Sequence, residues 1–299
     1  MQHRAYRILA FIATFFLLSF QSNAQPAVQV KPSQVSIQVE SLDKSVAWYK
    51  EMLGFEVDNR YTFVKQKTRI AVLKLKDFYV ELIQNQSTAS GDQISLPRSR
   101  VCCGFYKMGL LVTNFNAFYQ ELKQEHPDQV NGIIDSEVSG YTYFDLYDPD
   151  STLIQIIASS KPKESREIRP YLIGITVSDM ESEITWYEQN LDFTFTRKWE
   201  VSDKGIYVRQ LYSDGFIIEL LKESTNPGPA AEAKPSWGKE DATGISKMTF
   251  RTDNLQALSE SLKANHTQLL QEITQKSAAW YTSFLVTEDA EKNPIQIIQ

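Results

Sequence analysis

Val35, Ile37 and Val39 alternate with polar neighbours, the period-two pattern of a strand with one buried face. Val46, Tyr49 and Leu53 follow at i, i+3 and i+7, which places them on one side of a helix. Asp43 reads as the cap of that helix and Gly54 as its stop. Apolar runs at 70–76 and 79–84 read as further strands. The same order returns with helical faces at Phe115, Phe118 and Leu122, at Ile184, Tyr187 and Leu191, and at Leu255, Leu258 and Leu262. Each unit is one strand, one helix and about three strands. The chain is therefore expected to be α+β and built from four βαβββ modules.

The modules come in two pairs. A constant offset of 138 residues places Ile37 on Ile175, Trp48 on Trp186, Tyr49 on Tyr187, Phe55 on Phe193 and Glu81 on Glu219. At an offset of 140, Lys107 falls on Lys247 and His126 on His266, and residues 154–157 and 295–298 both read IQII. A register held over that length marks a tandem repeat. The expected organisation is a lead at 25–33, a first domain at 34–158, a linker at 159–170 and a second domain at 171–299. The linker is polar and carries two prolines. Looser stretches at 85–104 and 223–244 separate the modules inside each domain.

The first 24 residues read as an export signal and not as part of the fold. Arg4 and Arg7 precede an apolar run at 8–20, and Ser22-Asn23-Ala24 offers a small-residue cleavage site. The run is short for a membrane span, so a secreted or periplasmic protein without a stable anchor is expected. Losing Arg4 and Arg7 takes Lys plus Arg from 31 to 29 against 37 acids, a mature formal charge of −8. With no basic block, nucleic acid and anionic membranes are not expected partners. Cys102 and Cys103 are adjacent, and a bond between neighbours would close almost no loop.

The segments 39–55 (VESLDKSVAWYKEMLGF) and 148–155 (DPDSTLIQ), with the first repeated at Val177, Trp186 and Tyr187, resemble the vicinal oxygen chelate family. That family includes glyoxalase I, bleomycin-resistance proteins, fosfomycin-resistance enzymes and extradiol dioxygenases. The resemblance implies two tandem glyoxalase/bleomycin-resistance-like domains. In each, two modules curl around a cup and up to four inward side chains hold a divalent metal. Carried over by position, the first domain offers Gln34, Glu81, Lys107 and Gln155, and the second Leu172, Glu219, Lys247 and Gln296. Lysine and leucine stand where ligands are usual, and a protonated lysine has three donors and no lone pair. The two remaining histidines, His126 and His266, read as helix-end residues. The second set lacks the two His and Glu of an extradiol dioxygenase.

Both domains thus carry a Glu and a Lys at the altered sites, paired in this reading as Glu81 with Lys107 and Glu219 with Lys247. The ammonium is expected to take over the position and charge of the missing cation. Tyr141, Tyr143, Trp280 and Tyr281 are candidates for lining the cups, whereas Trp48, Tyr49, Trp186 and Tyr187 read as core. The leading expectation is an exported protein that binds a small polar or anionic molecule in the first domain without a cofactor. The alternative is a glyoxalase-type lyase or isomerase using a divalent Zn, Ni, Mn or Fe on Gln34, Glu81 and Gln155. A third is metal-free acid/base catalysis by Glu81 and Lys107. A homodimer is left open.

Overall fold

A computed structural model describes residues 28–85, 103–224, 243–275 and 281–299. The 1–24 segment expected to be an export signal, Cys102, Trp280 and most of the two looser stretches lie outside the described residues. Four modules of one plan are present. The first is β1 (Lys31–Gln38), α1 (Leu42–Leu53), β2 (Glu56–Phe63), β3 (Thr68–Leu75) and β4 (Phe78–Asn85). The second is β5 (Gly104–Val112), α2 (Phe115–Glu125), β6 (Ile134–Ser136), β7 (Tyr141–Tyr147) and β8 (Leu153–Ala158). The third is β9 (Ile168–Thr176), α3 (Met180–Leu191), β10 (Thr194–Val201), β11 (Ile206–Ser213) and β12 (Phe216–Glu223). The fourth is β13 (Gly244–Arg251), α4 (Leu255–Ala264), β14 (Leu269–Gln275), β15 (Ser283–Glu288) and β16 (Pro294–Ile298).

The helices follow from their apolar faces, with local corrections at their ends. Ser41, not Asp43, is the N-cap of α1, and Asp43 sits in the first turn, where it pairs with Arg60 and Arg69. Gly54 ends the helix in the left-handed conformation (φ 72°), which glycine adopts without the Cβ penalty. Tyr49 and Tyr187 are buried and donate their hydroxyls to Asp148 and Asp289 at 3.1 and 3.0 Å. Each contact staples a helix to the turn before the last strand of the following module.

The strands form two sheets of eight, and each sheet draws on both repeats. Sheet A runs β14-β15-β16-β13-β1-β4-β3-β2, joining the first module to the fourth. Sheet B runs β10-β11-β12-β9-β5-β8-β7-β6, joining the third to the second. The seams are the antiparallel pairs β1–β13 and β5–β9. One core cluster lies between the sheets and the helices and takes side chains from all four modules, among them Ile37, Leu82, Met108, Ile154, Ile173, Leu220, Phe250 and Ile297. The segment read as a linker is held in place. Thr113 and Glu167 exchange backbone and side-chain hydrogen bonds, Arg166 pairs with Glu121, and β9 already begins at Ile168.

Candidate functional site

Alternation decides which residues reach the concave faces. Val35 and Ile37 are buried in the core, so Gln34 and Ser36 face the cup of sheet A. Register sets Ser36 opposite Glu81 of β4 and Lys247 of β13. Gln34 lies opposite Thr249, which neighbours Gln296 of β16. Cup A therefore gathers Gln34, Ser36, Glu81, Lys247 and Gln296. The equivalent positions of sheet B gather Leu172, Gly174, Glu219, Lys107 and Gln155 in cup B.

The expected quartets are thus split and exchanged. Gln34 and Glu81 lie in one cup and Lys107 and Gln155 in the other. The ion pairs are Glu81 with Lys247 and Glu219 with Lys107, not Glu81 with Lys107 or Glu219 with Lys247. The reason is topological: the first strand of each even module pairs with the first strand of an odd module from the other repeat. Acid/base catalysis by Glu81 and Lys107 together is excluded by this separation.

In cup A, Glu81 Oε2 accepts from Ser36 Oγ at 2.6 Å and from Gln34 Nε2 at 3.2 Å. Lys247 Nζ stands 3.6 Å from the same oxygen, and its side chain is 27% exposed. Thr249 donates to Gln296 Oε1 at 3.4 Å. A cavity of about 220 Å³ opens over these groups, with Gln271, Tyr281, Phe284 and Val286 as its further walls. Tyr281 and Phe284 meet edge to face, with centroids 5.9 Å apart.

Cup B is filled from within. Lys107 Nζ is 2.5 Å from Glu219 Oε1 and donates to Gln155 Oε1 at 3.1 Å, with its side chain only 9% exposed. Tyr106 donates to Glu219 Oε1 at 3.0 Å and Gln210 to Oε2 at 3.0 Å. Tyr141 donates to Gln210, and Gln155 Nε2 donates to Asp145 at 3.3 Å. A bulge in β5 turns both Tyr106 and Lys107 toward Gly174, where a Cβ would come within 2.6 Å of each. Leu172 likewise occupies the space a side chain at Gly109 would need, and packs with Ile157, Ile217, Tyr141, Tyr143 and Tyr171. Burial alone would push the Glu219 carboxyl up, but the Lys107 charge and the Lys107, Gln210 and Tyr106 hydrogen bonds outweigh it and hold it below its ordinary value. Burial, with the Glu219 charge second, lifts the Tyr106 phenol well above its ordinary range.

Neither donor set suits the divalent metal that the resemblance implies. Cup A offers one carboxylate and cup B two, Glu219 and Asp145, each already committed to hydrogen bonds, beside neutral amides and an ammonium without a lone pair. Among the described residues no three His, Cys, Asp or Glu side chains are placed to share an ion. His126 and His266 lie at the ends of α2 and α4, away from both cups. A larger depression of about 490 Å³ lies outside the cups beside α1, lined by Trp48, Glu51, Gln129 and Pro149 among others. Two of its polar contacts serve the fold, as Trp48 donates to Gln129 and Asp148 accepts from Tyr49.

Sequence reasoning missed Ser36, Tyr106, Asp145 and Gln210. Strand alternation could have found two of them, since Ser36 shares a face with Gln34 and Asp145 with Tyr143. Nothing in the sequence marks the bulge that brings in Tyr106.

The model of the Glyoxalase/Bleomycin resistance protein/Dioxygenase superfamily matches residues 31–156 and again 170–297. The chain belongs to this superfamily. Glyoxalase I from Zea mays is similar over 91% of this chain and 92% of its own, with a TM-score of 0.67 and 15% identity. A putative dioxygenase from Bacillus subtilis subsp. subtilis str. 168 is similar over 91% and 85%, with a TM-score of 0.63 and 11% identity. At those identities the likeness concerns the superfamily fold alone. No curated protein sequence matches the chain.

Proposed function

We propose that this chain is an exported binding protein of the superfamily, and that cup A takes up a small polar or anionic molecule without a metal. The observation that carries the reading is the Lys247 ammonium, 3.6 Å from Glu81 and lining a cavity of about 220 Å³. It supplies a fixed positive charge beside the carboxylate, so neither charge is stranded. Cup B, with the same ion pair closed under Leu172 and Tyr106, acts as a structural counterpart. Export rests on the 1–24 segment. Both cups are completed within one chain, so binding does not require a homodimer.

A glyoxalase-type lyase or isomerase is the second reading, favoured by the fold and by the meeting of Gln34 with Glu81 in the open cup. Its ligands would be Gln34, Glu81 and Gln296, since Gln155 lies in the other cup.

Elemental analysis of the purified mature protein, with Glu81→Ala and Lys247→His variants, separates the two. The binding reading expects no stoichiometric metal in the wild type and new affinity for Zn or Ni in Lys247→His, where an imidazole supplies a lone pair. Stoichiometric metal that disappears in Glu81→Ala overturns it.

A further inference from the structure

Among the exchanges between the two cups is one carboxyl group, and its absence from cup A points to a ligand. In cup B the chain Lys107–Gln155–Asp145 ends on an acidic side chain of β7. Asp145 lies directly opposite Gln155 in the β7–β8 register. The equivalent position in cup A, opposite Gln296 in the β15–β16 register, is Val286. Cup A has the same lysine and the same glutamine but lacks the group that receives the glutamine's amide.

The donors of cup A are accordingly unspent. Among the described residues the Lys247 ammonium makes no hydrogen bond, and its single ionic contact is the 3.6 Å approach to Glu81, whose facing oxygen is already served by Ser36 and Gln34. Gln296 uses its Oε1 as an acceptor from Thr249, which leaves Nε2 to the cavity. Lys247 and Gln296 are diagonal neighbours on adjacent strands, the relation that brings Lys107 and Gln155 within 3.1 Å in cup B. A charged donor and a neutral donor side by side match the two oxygens of one carboxylate. The rest of the cavity is apolar or aromatic where Phe284, Val286 and Tyr281 line it. At about 220 Å³ it lies below the roughly 300–1,000 Å³ of pockets for drug-sized ligands.

Resting on the reading of cup A as the binding site, we infer that its ligand is a compact monocarboxylate with an apolar body. Lys247 and Gln296 hold the carboxylate where cup B holds Asp145, and the body lies against Phe284 and Val286. A dianion would meet Glu81 and is disfavoured by the single available cation.

Calorimetric titration of the mature chain with benzoate, benzamide and benzamidine tests this, since the three share one shape and carry charges of −1, 0 and +1 at neutral pH. Benzoate is expected to bind at least about tenfold more tightly than benzamide, the size of one lost charge-assisted hydrogen bond, and benzamidine more weakly still. Lys247→Met should bring benzoate down to the level of benzamide. Val286→Asp, which installs the carboxyl group of cup B, should abolish benzoate binding while leaving the melting temperature close to wild type. Should Val286→Asp misfold, Lys247→Met carries the test alone. Benzamide or benzamidine binding as tightly as benzoate, or no binding of any of the three at millimolar concentration, overturns the carboxylate assignment. The reading of cup A itself fails separately, if a probe binds and neither variant changes it.

Discussion

Cup A and cup B are built on equivalent strands with the same Glu, Lys and Gln, yet one encloses a cavity and the other is packed with its own side chains. Exchanges at the neighbouring positions make the difference. Gln34, Ser36, Val72, Ser246 and Val286 in cup A stand where cup B has Leu172, Gly174, Gln210, Tyr106 and Asp145. The ion pair itself therefore does not make a site. Its neighbours decide whether the ammonium is consumed by the protein or left for something else. In cup B, Tyr106, Gln210, Gln155 and Lys107 spend their hydrogen-bonding capacity on Glu219 and on one another. In cup A, Ser36 and Gln34 serve one oxygen of the Glu81 carboxylate with neutral donors, and the lysine approaches that oxygen at 3.6 Å without a hydrogen bond.

The comparison is broken most forcefully at the lysines. Lys107→Met strands the Glu219 carboxylate in the interior and is expected to cost about 3–5 kcal/mol, read from urea denaturation. Lys247→Met removes a partly exposed cation whose partner keeps two other donors, and should cost under about 1 kcal/mol. Equal losses would mean that the two pairs are equivalent after all.

Exchanging the residues beneath the pairs gives a smaller effect. Gly174→Ser forces a Cβ against Lys107 and Tyr106 and should destabilise by about 1–3 kcal/mol, with the melting temperature as readout. Ser36→Gly removes one hydrogen bond to Glu81 and should cost about 1 kcal/mol.

A contrast of another kind, read as a pH dependence, concerns the helix staples outside the cups. Tyr49–Asp148 has Ser45 beside it, whereas Tyr187–Asp289 has Glu183, fully buried and set against the Asp289 carboxyl. Burial first, and the charge of Asp289 second, hold the Glu183 carboxyl well above its ordinary value. A folded-state value above the unfolded one means that this group favours the fold most below its unfolded value. That contribution is lost as pH rises toward the folded value. The slope is at most about 1.4 kcal/mol per pH unit for one proton. Glu183→Gln should flatten the fall in stability above pH 5, and an unchanged pH profile would show that Glu183 is ionised in the folded chain.

Much of this architecture was legible in the residues. Apolar positions such as Val35 and Ile37 announced which face of each strand met the core, and so placed Gln34, Glu81 and Lys247 on the other. The modules followed from Tyr49, Phe118, Tyr187 and Leu258, each on a helical stripe. The choice of partner modules was not legible. A repeat states that Lys107 and Lys247 are equivalent, and equivalence is satisfied by either pairing. The selection is made at the seams β1–β13 and β5–β9, where backbone hydrogen bonds carry no residue code. Tyr106 escaped notice because a bulge breaks the alternation that would otherwise turn it away from the cup.

The most direct test of a hollow, metal-free cup beside a filled one is binding stoichiometry, measured by calorimetry with benzoate before and after exhaustive treatment with a chelator. One mole bound per mole of chain, unchanged by the chelator and weakened to the level of benzamide in Lys247→Met, is the predicted result. Two moles per chain, or binding that returns only when a divalent ion is restored, would contradict the account.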